Sequence, residues 1–193
     1  MTRCEYAEVL GMKSHVIAVA VGLSLAPALV AAQQTSPYAG EQNRAVKSLS
    51  KSDVRAYLAG DGLGMAKAGE LNHYPGPKHV LAIADHLMLS SAQRQRIEGI
   101  AAAMTAQAQP LGRQIVNEEA SLNDGFANGA IDAASLRRKT SHIALLQGQL
   151  RAVHLGAHLA LKRILSEEQV RRYDHLRGYD DSGTVHASEH HHG

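Results

Sequence analysis

From Ser90 onward, apolar residues recur at steps of three and four: Ile97, Ile100, Ala101, Met104, Ala108, Leu111, Ile115, Leu122 and Phe126. At about 100° per residue these positions form one stripe, the mark of an amphipathic helix. One longer gap holds Glu118 and Glu119. Pro110 lies inside the stripe, where proline removes a hydrogen bond and costs ~3 kcal/mol. The stripe keeps its phase across Pro110, which predicts a kink and not a termination. Gly125, Asn128 and Gly129 then stop the helix. A second stripe, Ile143, Leu146, Leu150, Val153, Ala157, Leu161 and Ile164, predicts another long helix from near Asp132. Its opposite side carries a second apolar ridge of Leu145, Gly148, Ala152, Leu155 and Leu159. A helix apolar on two faces is sandwiched or offers one face to a partner.

Only a few residues join these two segments, so they must pack antiparallel as a hairpin. Each is ~30 residues, or ~45 Å at ~1.5 Å per residue. A lone hairpin cannot shield both ridges of its second helix, so the expectation is a homodimer. Shorter elements flank the hairpin. Ser52 is the expected cap of a helix reaching Leu58, and Gly60, Gly62 and Gly64 break the chain after it. Asn72-His73-Tyr74-Pro75-Gly76-Pro77 is a turn. A short helix is expected over residues 78–88, and another over 166–178. The predicted fold is all-α, a long antiparallel helical hairpin with short flanking helices.

Two segments share one local signature: Leu89-Ser90-Ser91-Ala92-Gln93 and Leu165-Ser166-Glu167-Glu168-Gln169. A serine followed three residues later by glutamine is a capping box. The serine oxygen accepts a backbone N–H of the first turn, and the glutamine returns to the serine N–H. The boxes read as structural, since capping accounts for Ser90, Gln93, Ser166 and Gln169. Their repetition, each after leucine and each opening a helix, resembles the LTxxQ-motif family of bacterial periplasmic proteins. That family includes the Spy and CpxP chaperones and the ZraP and CnrX metal-responsive proteins. The resemblance runs from about Ser52 to Tyr179 and implies a small all-helical protein that dimerises into a curved cradle. It also implies holding of unfolded clients without ATP, or binding of zinc, copper, nickel or cobalt. Serine stands where the family has threonine in both boxes, a mild change because both cap helices well.

The N-terminus sets the expected address. Lys13 precedes the apolar run 16–25, and Ala26-Pro27-Ala28-Leu29-Val30-Ala31-Ala32 supplies small residues for cleavage. This reads as a signal peptide over 1–32, with Met12 as an alternative start and an uncleaved anchor as the competing reading. A mobile arm is expected over 33–51, the helical domain over 52–179, and a disordered His-rich tail over 180–193. The protein is therefore expected in the periplasm, without membrane insertion after cleavage. Cys4 is the only cysteine and precedes the cleavage point, so no disulfide holds the domain and no thiolate zinc cluster forms in it. A formal charge of +2 gives no support for nucleic acid as a partner. With no tryptophan and one phenylalanine, the core must come from aliphatic side chains, which favours helices. Low aromatic content also limits the apolar surface available to a client.

The candidate chemistry is histidine chemistry. His154 and His158 stand four apart, which places two imidazoles one above the other on a helix. His79 is the expected third ligand, with Glu70 or His73 completing the set. The competing reading is boundary histidines with ordinary hydrogen bonds, since the pair lacks the glutamate of HExxH. In the tail, His186, His190, His191 and His192 suit capture of Zn, Cu or Ni. A tag remnant and a solvated tail without a role compete with that. Met65, Met88 and Met104 are soft donors for Cu(I), although Met104 lies in the core stripe. No cofactor is required for a reaction, because there is no cysteine nucleophile, nucleophile elbow or phosphate loop, and the expectation is not an enzyme. The function expected is a metal-binding envelope-stress or metal-resistance protein of the Spy/CpxP type with ATP-independent chaperone activity as a further possibility. The alternative is a signalling adaptor that binds the periplasmic sensor domain of a membrane regulator. Expected partners are a second copy, unfolded envelope proteins or that sensor domain.

Overall fold

The computed structural model describes residues 35–179. The expected signal peptide and the His-rich tail lie outside the described residues. Contacts divide the chain into Met1–Pro37 and Tyr38–Gly193, and every helix described here belongs to the second unit. The described residues are helical and contain no strand.

A 3₁₀ turn at Glu41–Asn43 precedes the first helix. Ser48 donates from Oγ to Glu119 at 2.7 Å, and Leu49 packs against the central core, so these residues are tied to the hairpin. Helix α1 spans Lys51–Ala59 and is capped by Ser50, not by the expected Ser52. The reason is the residue three further on. Asp53 accepts the Ser50 N–H while Ser50 Oγ accepts the Asp53 N–H, a complete box that Ser52 lacks. Gly60, at φ 72°, closes α1 in the left-handed conformation that glycine adopts without strain.

A single-turn helix, α2 (Lys67–Glu70), follows the glycines. Helix α3 covers Pro77–Ala82 and stops short of the expected Met88. Residues 83–88 instead make successive turns, with Leu87 N–H bonded to Ile83 O and Leu89 N–H to Ala84 O. Met88 takes φ 51° as the chain swings into the first serine box.

Helix α4 runs unbroken over Ser91–Ala127 with Pro110 inside it, and α5 covers Ala133–Lys162 after an Asp132 cap. They pack antiparallel as the expected hairpin. Helix α6 (Glu167–Arg177) begins at the second serine box and ends at Gly178. The α5 stripe faces inward, with Ile143, Leu146, Leu150, Ala157 and Leu161 buried. Phe126, at the end of the α4 stripe and beside the turn into α5, is 59% exposed.

Two apolar clusters hold these helices. Tyr57, Ala108, Ile115, Leu146 and Leu150 pin α1 across the middle of the hairpin. Gly112 makes this possible, since a Cβ there would overlap the Tyr57 carbonyl. Val80, Leu87, Ile97, Leu161, Leu165, Val170 and Tyr173 gather α3, α4, α5 and α6 at the other cluster. Each fully buried Leu or Ile among them contributes about 1.5–3 kcal/mol.

The two serine boxes meet. Gln93 Nε2 donates to Gln169 Oε1 at 2.8 Å, and Gln169 Nε2 returns to Gln93 Oε1 at 3.1 Å. Gln93 also donates to Ile164 O, and Gln169 to Leu87 O. Each glutamine thus caps its own helix and ties down the chain leading into the other. This explains glutamine in both boxes: a glutamate would cap equally well but could not donate.

Candidate metal centre

The turn after α2, the start of α3, the last turns of α5 and the end of α6 converge on one cavity of about 450 Å³. Glu70, from α2, is its hub. The carboxylate is 7% exposed, and its two oxygens have different surroundings. Oε1 accepts a hydrogen bond from Tyr173 Oη, with His79 Nδ1 at 3.1 Å and Tyr179 Oη at 3.3 Å. Oε2 is buried without a hydrogen-bond partner. Burial, then the hydrogen bond to Glu70 and its charge, push the Tyr173 phenol well above its ordinary pKa, so it stays a donor.

His158, 6% exposed, lies against this carboxylate. Its Nδ1 is 2.7 Å from Tyr74 O, which fixes the proton on Nδ1 and leaves the lone pair on Nε2. The geometry at Gly76 shows where that lone pair faces. A Cβ built on Gly76 would lie 3.1 Å from His158 Nε2 and 3.2 Å from Glu70 Oε2. The absent side chain leaves open a cradle bordered by both atoms. A ligating histidine whose other nitrogen donates to a backbone carbonyl is the usual arrangement around a metal ion.

His154, one turn back on α5, is 4% exposed and lines the same cavity, and its Nε2 is buried without a partner. Its ring fits over Gly62, where a Cβ would lie 3.1 Å from Nδ1. Burial, followed by the charge of Lys78, lowers its pKa against the opposing pull of Asp61. The imidazole is held neutral, the form that binds metal. Met104 lines the cavity from α4.

The structure brings His154, His158, His79 and Glu70 to one cavity. It sends His73 elsewhere: in a left-handed turn at φ 64°, His73 pairs through Nδ1 with Asp174 at 2.8 Å. Tyr173 and Tyr179, which hold Glu70 Oε1, and the buried Asp174 were not read from the sequence. No local spacing links α6 to α2. The one available hint was the density of polar and aromatic residues just before Gly178.

These donors fit a borderline divalent ion in kind: a carboxylate oxygen, a tautomer-fixed imidazole and a neutral imidazole. They do not form a finished set. Among the described residues, no three His, Cys, Asp or Glu side chains are gathered closely enough to hold an ion as they stand.

A family model described as LTXXQ motif family protein matches residues 77–177, from the first residue of α3 to the last of α6. No curated protein and no solved structure matches the chain. Proteins of the matched family are generally not enzymes and are typically periplasmic. Among the described residues, no helix is long and apolar enough to cross a membrane.

Proposed function

The chain belongs to the LTXXQ motif family, and from that premise we propose that it is a periplasmic metal-binding protein of the Spy/CpxP type, serving envelope stress or metal resistance. One observation carries this reading: the open cradle at Gly76, bordered by the lone pair of His158 Nε2 and by Glu70 Oε2, which has no hydrogen-bond donor and lies 3.7 Å from His158 Nδ1. Burying a carboxylate oxygen without a donor is costly, and a bound cation removes that cost. His158, Glu70 and His154 would hold the ion, with His79 orienting the carboxylate from the rim. Zinc, copper and nickel all suit such a nitrogen-and-oxygen set.

Equilibrium dialysis of the full chain with Zn(II) tests this. His154→Ala combined with His158→Ala is expected to lower the stoichiometry by one ion per chain, and unchanged binding sinks the reading.

We further propose that the protein works as a homodimer through the outer face of α5. Leu145 and Leu159 are 58% and 54% exposed there, with Gly148, Ala152 and Gly156 exposed between them. A Cβ on either glycine would meet nothing within 4 Å. The row is symmetric about Ala152: Leu145 lies as far before it as Leu159 lies after, and Gly148 mirrors Gly156. An antiparallel contact with a second α5 would therefore set leucine against leucine and glycine against glycine. That is the self-complementarity a two-fold interface needs.

A further inference from the structure

We propose that Met88 is a site of reversible oxidation, and that Arg172 receives its sulfoxide at the joint between the two serine boxes. Neither the cavity at Glu70 nor a second copy of the chain takes part.

The methionines among the described residues are Met65, Met88 and Met104, and their thioethers are not equally open. Met104 is 5% exposed, and Met65 packs partly buried against the central core. Met88 is 72% exposed, although its neighbour Leu87 is 1% exposed. Core packing therefore accounts for Met104 and Met65 but not for Met88. Met88 also stands in a left-handed turn at φ 51°, a conformation that non-glycine residues adopt rarely. An open thioether is the one an oxidant reaches first.

What lies beside the sulfur suits the oxidised form better than the reduced one. Arg172, on α6, places Nη1 3.4 Å from Met88 Sδ. A thioether is a weak acceptor, so the guanidinium meets a poor partner there. A sulfoxide oxygen is a polar acceptor, and a bond to it from a cationic donor is charge-assisted. Met88 and Arg172 line a cavity of about 290 Å³ together with Gln93 and Gln169, which leaves room for one more oxygen. The unbranched side chain turns about three bonds, so the new oxygen can swing to the guanidinium. Leu87 O already accepts Gln169 Nε2 at 3.3 Å. A bond from Arg172 to residue 88 adds a second tie between the same turn and α6.

The co-reactant is a two-electron oxidant of the peroxide class. A sulfur lone pair attacks one oxygen of hydrogen peroxide, an S–O bond forms and the O–O bond breaks. The departing hydroxide takes the proton from the newly bonded oxygen and leaves as water. The sulfur loses two electrons and the peroxide gains them. Sulfoxide reductases, one for each epimer, return the thioether.

Limiting hydrogen peroxide on the full chain tests this, with oxygen uptake at each methionine followed by peptide mass mapping. Met88 is expected to react about tenfold or more faster than Met104, and ahead of Met65. Urea unfolding then reads the consequence in the parent, Arg172→Ala and Met88→Leu, each before and after oxidation. The midpoint of the parent is expected to rise by roughly 0.3 M, a shift absent from both variants. Treatment with both sulfoxide reductases is expected to abolish the shift. Uptake at Met65 or Met104 as fast as at Met88 overturns the site. An equal shift in the parent and Arg172→Ala overturns the role of the guanidinium, and a shift that persists in Met88→Leu assigns it to another methionine. No shift in the parent overturns the second tie.

Discussion

Gly76 has ordinary backbone angles, φ −86° and ψ 141°, so any residue could take its conformation. What it contributes is empty space between His158 and Glu70. Gly76→Ala is expected to keep the fold, since the atoms nearest the added methyl belong to the side chains of His158 and Glu70, at 3.0–3.2 Å. Zn(II) affinity, measured by chelator competition, is expected to fall roughly tenfold or more, as when the surroundings of a ligand are disturbed. Unchanged affinity would place the ion elsewhere. Ser50 shows the same economy at a helix end. Its hydroxyl, then its backbone N–H, hold the Asp53 carboxyl below the usual aspartate pKa. A depressed folded pKa means that the unfolded chain takes up the proton more readily. The contribution is therefore complete above about pH 4 and lost as pH falls through the folded value. Ser50→Ala should lower the melting temperature at neutral pH and flatten its decline in acid. An acid limb as steep as that of the parent would rule this out. At this scale the sequence was readable where partners are near neighbours, as in the two serine boxes. It misled at Ser52, because Asp53 stands three residues after Ser50 and only one after Ser52.

The long helices were legible because their apolar period persists over many turns, enough to carry α4 through Pro110. The short ones were not. Helix α2 is four residues among glycines and has no period to detect, yet it carries Glu70. Helix α3 ends early because residues 83–88 must turn toward Ser90, a demand of the tertiary path that an apolar stripe cannot express. The pairing of the two boxes also lay beyond sequence reading, although each box was visible. Gln93 and Gln169 form a reciprocal bridge between the starts of α4 and α6. Gln93→Ala and Gln169→Ala, alone and combined, test it by denaturant unfolding. Each single change is expected to cost about 1–3 kcal/mol, and the double change less than their sum, because the first already strands the second. Strict additivity would mean that each glutamine acts only as a cap.

For the molecule as a whole, α5 divides the work. Its inner stripe builds the core, its last turns carry His154 and His158, and its outer row exposes Leu145 and Leu159, the face of the proposed dimer. Leu145→Glu with Leu159→Glu is expected to shift sedimentation from dimer to monomer while helix content is retained, since neither side chain is buried. A parent chain that sediments as a monomer would remove the interface. The candidate site was half readable. The step of four between His154 and His158 marked one wall and the α3 histidine another. The side chains that hold Glu70 come from the far end of the chain and meet it only through folding. That distance has a consequence for how the protein is made. Gln93 waits for a partner 76 positions later, and Glu70 for Tyr173, 103 positions later. During vectorial synthesis neither bond can close until almost the last helix has emerged. The paired serine boxes and the hold on Glu70 are thus completed last, after the α1, α4 and α5 core residues are all present.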